Sequence, residues 1–205
     1  MIASEQTVFI VEDDVAVRDS LKVLLGLNGY RTQSFECAEN FLRVYQPAWA
    51  GCLVLDIRMP GMSGLELQEV LRQKRLALPI IVMTAHGDVS TVRIALKSGA
   101  VDFLEKPVDP DMLLRAVRVA LDTDAAQRRA ANEAERAERT LSILTARERH
   151  VMELITKGCN NGEIASTLGI SPRTVEVHKA RVMEKLQVES IPELVRFVLR
   201  VPGSL

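Results

Sequence analysis

Aromatic residues are scarce in this chain, at 4% of 205 positions. Of the eight, only Phe197 lies beyond residue 122. Proteins that grip single-stranded nucleic acid need aromatic faces for bases to stack on, so the C-terminal part has no such platform. Cysteine is scarce too. Cys37, Cys52 and Cys159 are odd in number and widely spaced, with no CxxC or Cys/His cluster. That argues against a disulfide framework and a structural zinc site. Cys37 and Cys52 read as small core residues. No apolar run approaches the roughly 18 residues of a membrane span. Met1–Thr7 lack a basic region and an apolar stretch. No secretory leader is therefore expected, and the location expected is cytoplasmic. No GxxxxGK[ST] or GxGxxG opens a helix, which removes P-loop and dinucleotide enzymes. Net charge is also nearly absent: 26 basic and 27 acidic side chains leave −1. Taken whole, that figure argues against a nucleic-acid binder.

What is present is a regular alternation. At 47% hydrophobic, the chain has ample material for packed cores, and its length suits one large domain or two small ones. Residues 7–122 alternate short apolar runs with longer amphipathic ones. Thr7–Val11, Arg31–Phe35, Cys52–Leu55, Ile80–Met83 and Asp102–Glu105 read as strands. CLVL and PIIVM are nearly all apolar, as parallel strands covered on both faces are. Val15–Leu27, Leu65–Arg75, Val89–Ser98 and Pro110–Leu121 carry apolar residues at helical spacing. Asn28-Gly29, Pro60-Gly61, Ser98-Gly99 and Lys106-Pro107 supply turns. Repeated β-α units predict an α/β flavodoxin-like fold: a five-stranded, doubly wound parallel sheet in the order 2-1-3-4-5.

Residues 123–140 break this rhythm. They hold six alanines, no Gly, no Pro and no large apolar residue. Asp124–Arg128 and Glu135–Arg139 are i,i+4 pairs of the helix-favouring orientation. The stretch reads as an exposed helical linker continuing the preceding helix, with a flexible tether as the alternative. Residues 141–205 then contain no strand pattern. Ala146–Thr156, Asn161–Leu168, Pro172–Leu186 and Ile191–Leu199 read as four helices of a small all-α domain. Thr145 with Glu148 forms a capping box, and Ser171 with Pro172 a helix start. The charge also divides. Residues 1–122 carry 13 basic and 16 acidic side chains, a net of −3; residues 141–205 carry 9 and 7, a net of +2.

Ligands of open α/β sheets bind outside the carboxyl ends of the strands. There the sequence places Glu12-Asp13-Asp14, Asp56, Thr84 and Lys106-Pro107. Converging carboxylates repel each other unless a cation joins them. An oxygen-only set suits Mg²⁺, with Mn²⁺ as the other candidate. Asp56 can act as nucleophile toward a phosphoryl group. Lys106 can neutralise charge on that group, and Thr84 can hydrogen-bond one of its oxygens.

With these residues in view, residues 7–121 resemble the receiver domain of two-component response regulators. The segments VFIVEDD, VLDIRMPGMSG, PIIVMTAHGD and GAVDFLEKP carry the resemblance across the whole domain. It implies Asp56 as phosphoacceptor and Asp13 as a direct Mg²⁺ ligand. It implies Glu12 or Asp14 as water-mediated support for the metal, and a backbone carbonyl from Arg58. It further implies Lys106 against the phosphoryl group, Thr84 as the hydroxyl switch and Phe103 as the switch aromatic. Two registers stay open for the acidic pair, Glu12-Asp13 or Asp13-Asp14, and Asp13 belongs to both. Met59, Met62 and Met83 read as loop or core fillers. His86 is expected to be exposed near the site without acting as a general base.

In the second domain, NNGEIASTLGISPRTVEVHK reads as helix, turn at Gly169, helix. Ile164, Ala165 and Leu168 are expected to pack on Val175 and Val182. That leaves an exposed face with Arg173, Thr174, Glu176, Lys179 and Arg181. LTARERHVMELITKG, IASTLGISPRTVEVHKARVMEKL and ELVRFVL resemble the four-helix LuxR/FixJ-type DNA-binding domain. The resemblance implies Glu176, Val177 and Ala180 facing bases, with Arg173, Thr174, Lys179 and Arg181 against the backbone. Family members often carry a Lys after the Asn that opens this helix; here Gly162 follows Asn161.

Together these imply a FixJ-like response regulator, not an enzyme beyond its own phosphoryl transfer and autodephosphorylation. The implied partners are a cognate histidine kinase, double-stranded promoter DNA, RNA polymerase and, on phosphorylation, a second copy of the chain, with no membrane. Transcriptional activation is the expected outcome. The competing reading is a small-molecule phosphatase or phosphotransferase using Asp56. Haloacid-dehalogenase-like enzymes carry a second Asp two residues on, and Arg58 stands there instead.

Overall fold

The computed structural model of the chain describes residues 6–74, 76, 78–85 and 89–199, with only the backbone of 89–91. The chain divides into two compact units, the division falling between Gln127 and Arg128. In the first, β1 (Thr7–Val11), α1 (Val15–Leu27), β2 (Arg31–Phe35), α2 (Ala38–Val44) and β3 (Gly51–Asp56) follow one another. Then come α3 (Gly64–Gln73), β4 (Ile80–Thr84), α4 (Val89–Lys97), β5 (Asp102–Glu105) and α5 (Pro110–Leu141). The strands pair in parallel in the order β2-β1-β3-β4-β5, the order expected. Every residue of β3 and β4 is buried, because helices cover both faces of a parallel sheet.

Alternate residues of the same strands feed two cores. On one face, Ile10, Val54 and Met83 pack with Leu21 and Leu25 of α1 and with Leu113 and Val117 of α5. On the other, Phe9, Leu55 and Val82 pack with Phe41 of α2 and with Leu67 and Leu71 of α3. Parallel pairing leaves all five carboxyl ends on one edge. Helices α1 and α3 start there on side-chain caps. Asp14 caps α1, accepting from the amides of Ala16 and Val17 at 2.8 and 3.0 Å. Ser63 and Glu66 form a capping box on α3. Gly64 is required in that first turn: a Cβ there would lie 2.2 Å from the Asp56 carbonyl oxygen.

Helix α2 has no counterpart among the predicted helices. Its N-cap, Cys37, makes no side-chain cap. Packing holds it instead: Phe41 is fully buried beside Phe35, Tyr45 and Trp49, and Trp49 stacks on Phe9 with ring centroids 4.6 Å apart. Cys37 is therefore half-buried at a helix start rather than in the core. Cys52 is a core residue, and burial, then the charge of Asp124, pushes its thiol up to about 12.

Helix α5 runs unbroken through the expected linker as 32 residues. The Glu135–Arg139 ion pair lies along its exposed face. Asp124, expected in an exposed linker, is instead 1% exposed. Its carboxylate accepts from the Gly51 amide at 2.9 Å and from Gln6 Nε2 at 3.1 Å. Gln6 Nε2 also donates to the Leu121 carbonyl at 2.8 Å. Asp124 thus ties α5 to the amino-terminal start of β3. Asp124→Ala leaves the buried Gly51 amide without that acceptor, and the expected loss is about 1–3 kcal/mol. A denaturant titration of the first unit tests this; an unchanged midpoint would contradict it.

The second unit contains the end of α5 and α6 (Ala146–Thr156), α7 (Asn161–Leu168), α8 (Pro172–Leu186) and α9 (Ile191–Val198). Capping boxes start α6 (Thr145, Glu148) and α7 (Asn160, Glu163). Ser171 with Pro172 starts α8, and Ser190 starts α9. Gly169, at φ +63°, ends α7 in the left-handed conformation that makes the turn. Ile164, Ala165, Val175 and Val182 form one core with Val151, Leu186 and Leu194, and Leu168 packs against it, as expected. Ala137 and Leu141 of α5 join the same core. Among the described residues no helix is long and apolar enough to cross a membrane.

Candidate functional site

The carboxyl edge of the sheet brings Glu12, Asp13 and Asp56 together, each offering an oxygen within 4.8 Å of the others. Glu12 follows β1, Asp56 ends β3, and Lys106 follows β5. The parallel pairing of β1 with β3 sets the first two side by side. Lys106 Nζ lies 2.7 Å from Glu12 Oε2 and 2.9 Å from Asp56 Oδ2. Glu12 is fully buried and Asp56 nearly so. Burial pushes the Glu12 carboxyl up, and Asp56 adds to the rise against the opposing Lys106 hydrogen bond. Burial pulls the Lys106 pKa down, but the hydrogen bonds to Glu12 and Asp56 and the charges of both outweigh it and leave it raised.

Three carboxylates thus face one ammonium, and negative charge is left over. An all-oxygen set with surplus negative charge fits a hard divalent cation. The neighbouring residues divide the other tasks. Asp14 Oδ1 is engaged as the α1 cap, so the cluster is built on Glu12-Asp13. Arg18 Nη1 donates to the carbonyls of Glu12 at 2.6 Å and Asp13 at 3.1 Å, holding the turn that carries them. The Arg58 amide points at Asp56 Oδ1, at 3.4 Å. Glu39 of α2 accepts from the Met62 amide at 2.9 Å, pinning the loop after β3. Arg18, Glu39 and Gly64 are absent from the sequence-derived site, because their roles run through backbone atoms of folded loops.

Thr84 is buried at the end of β4, one residue beyond the partner of Asp56, and its carbonyl accepts from the Lys106 amide at 2.8 Å. Phe103 stands beside Val82 on β5, half-buried against the core shared with α3. Met59 and Met83 are buried, as core fillers are. His86 lies outside the described residues.

On α8, Val175, Val182 and Leu186 face the core. Arg173, Glu176, Val177, Ala180 and Arg181 are exposed on the opposite side. Thr174 and Lys179 are only half-exposed, at the margins. The Thr174 hydroxyl is hydrogen-bonded to Ser171 Oγ at 2.8 Å, so it belongs partly to the cap. The exposed face is therefore narrower than the spacing alone suggested.

Known proteins match both units. The family model for the response regulator receiver domain matches residues 8–118, and that for bacterial regulatory proteins of the luxR family matches residues 142–198. The chain is a two-component response regulator.

The FixJ transcriptional regulatory protein of Azorhizobium caulinodans is 45% identical to this regulator over 192 residues, covering 94% of this chain and 91% of the relative. FixJ of Rhizobium meliloti is 41% identical, covering 96% of each. Among solved structures, the response regulator StyR superposes with a TM-score of 0.83 at 44% identity, over 95% of this chain and 98% of StyR. Full-length FixJ from B. japonicum gives 0.59 at 39% identity, over 95% and 96%. The regulator thus pairs a receiver with a LuxR-type DNA-binding domain, as FixJ-like transcriptional regulators do.

Proposed function

We propose that a partner histidine kinase, or a small phosphodonor, switches this regulator by phosphorylating Asp56. The observation that carries the reading is the position of Asp56: a carboxylate beside Lys106 and two further acids, on a chain that also holds a LuxR-type domain. An Asp56 oxygen attacks the donor's phosphorus. The bond from phosphorus to the donor breaks, and the leaving group departs with its electron pair. The product is an acyl phosphate on Asp56. Lys106 stands where it can balance charge on the phosphoryl oxygens. Asp13, Glu12 and Asp56, with the Arg58 carbonyl and with Asp14 as outer support, would hold Mg²⁺ or Mn²⁺. When bound, that ion supplies electrostatic neutralisation of the transferring group. The chemistry of this reading is phosphoryl transfer to Asp56 and its later loss.

The hydroxyl of Thr84 then turns toward the phosphoryl group, and Phe103 follows it. The surface of β5 with α4 and α5 changes, and two copies pair through it. In this scheme residues 1–122 are the receiver, 123–140 the linker and 141–205 the DNA-binding domain. A pair of such domains, each of small positive charge, reads two half-sites of double-stranded promoter DNA in the cytoplasm. Engagement of RNA polymerase then activates transcription.

DNA binding provides the test. Helix α8 would enter the major groove, with Arg173, Thr174, Lys179 and Arg181 on phosphates and Glu176, Val177 and Ala180 toward bases. Affinity for duplex DNA should fall steeply with salt. Arg173/Lys179/Arg181→Ala should weaken it and flatten the salt dependence by about 0.9 in slope for each phosphate that the variant no longer neutralises. Fluorescence anisotropy across a salt series measures both. A triple variant that binds as tightly as wild type, with the same slope, would contradict the assignment.

A further inference from the structure

The exposed face of α8 carries a negative side chain that the fold does not use. Glu176 is exposed, five residues into the helix, and no hydrogen bond or ion pair engages it among the described residues. Cations stand three residues to either side, Arg173 and Lys179, at spacings where helical ion pairs form. Neither pairs with it. Its neighbour Val177 is 46% exposed, an apolar group on a polar face. Ala180, one turn on, adds only a methyl to that face.

Phosphates repel a free carboxylate and gain nothing from an isopropyl group. On a helix that lies in the major groove, these two side chains suit base edges. The groove's donor pattern then selects among bases. Guanine shows two acceptors, O6 and N7, and thymine shows O4, so both repel a carboxylate. Adenine offers its N6 amino group, but the acceptor N7 sits beside it. Cytosine offers the N4 amino group without an adjoining N7 acceptor. A valine alongside matches the thymine methyl group.

We infer that Glu176 is the specificity-determining residue for a cytosine in each half-site, accepting a hydrogen bond from its N4 amino group. This rests on the DNA-binding reading above and names part of the sequence that reading leaves open. Discrimination at that position should be roughly 5- to 100-fold over the other bases. Removing the carboxylate should also raise affinity for unrelated DNA, because one repulsive charge is removed from the face.

The test is site selection from a random duplex library by the full chain, phosphorylated with acetyl phosphate and Mg²⁺. Wild type should enrich half-sites containing a fixed cytosine. Glu176→Ala should enrich the same half-sites with that one position degenerate. Glu176→Gln should move its weight toward adenine, whose N6 and N7 suit an amide. Both substitutions are at an exposed position, and unchanged melting curves would confirm intact folding. Wild-type enrichment with the cytosine retained in Glu176→Ala would overturn the inference and leave DNA binding standing. No enrichment by any of the three proteins would overturn the DNA-binding reading and this inference with it.

Discussion

Asp56→Asn should abolish phosphoryl uptake while leaving the first unit folded. The two side chains have nearly the same shape, and the amide oxygen can still accept from Lys106 Nζ, now 2.9 Å from Asp56 Oδ2. A neutral amide, however, is not the nucleophile that a carboxylate is. Incubation with acetyl phosphate and Mg²⁺ should add one phosphoryl mass to wild type and none to the variant. Stability should hold or rise. Asp56 is a nearly buried charge beside Glu12, and it raises the Glu12 pKa. Removing that charge relieves its repulsion of Glu12, while Lys106 keeps Glu12 as a partner at 2.7 Å. Normal acyl-phosphate formation in Asp56→Asn would remove the basis of the whole scheme.

Glu148→Ala should produce a large loss of stability in the second unit. Glu148 is 3% exposed. Its carboxylate accepts from Lys185 Nζ at 2.6 Å and from the Thr145 amide at 2.8 Å, so it joins α8 to the start of α6. Truncation removes the charge opposite Lys185 and half of the α6 capping box. Lys185 is 34% exposed, so water takes up its freed charge; the lost charge-assisted hydrogen bond and cap together cost about 2–3 kcal/mol, a large part of the stability of a small domain. Amide exchange along α6 and α8 should accelerate accordingly. Unchanged protection would contradict this role for the pair.

The same carboxylate sets a pH window. The Lys185 hydrogen bond first, then the Thr145 amide, holds its pKa at about 2 against an ordinary 4.5. A depressed folded pKa means that the unfolded chain binds the proton more readily. The stabilisation is therefore complete above 4.5 and is lost as pH falls from there through about 2. Acid titration of wild type should loosen α6 and α8 across that interval. Glu148→Gln should show a weaker baseline and no such step.

The sheet order, the strands and most helices are legible in the sequence, because each is coded by local apolar spacing and a cap. CLVL and PIIVM are apolar throughout because β3 and β4 are covered on both faces. Helix α2 is different. Its seven residues are too few for a clear period, and its cap has no side-chain bond. What holds it is Phe41 among aromatics from distant segments. Asp124 misleads for a similar reason. Surrounded in sequence by alanine and arginine, it reads as solvated, yet its partner is a backbone amide 73 residues away. In the site, Glu12, Asp56 and Lys106 are legible because each follows a strand end. Their mutual distances are not, and neither is the assignment of Asp14 to a cap. Arg18 and Glu39 act on carbonyls and amides that every residue has, so no residue pattern reveals them. On α8 the spacing finds the outward face, but half-buried Lys179 and capped Thr174 narrow it.

The central claim is that the state of Asp56 governs binding at α8. It is tested most directly by the affinity of the full chain for its selected duplex, measured with and without acetyl phosphate and Mg²⁺. An unphosphorylated monomer, with a net of only +2 on residues 141–205, should bind weakly. Phosphorylation should tighten binding by at least about tenfold through pairing of two domains, and sedimentation should show the dimer. Asp56→Asn should remain at the weak value under both conditions. Equal affinity with and without the phosphodonor, or equal gain in Asp56→Asn, would contradict the account.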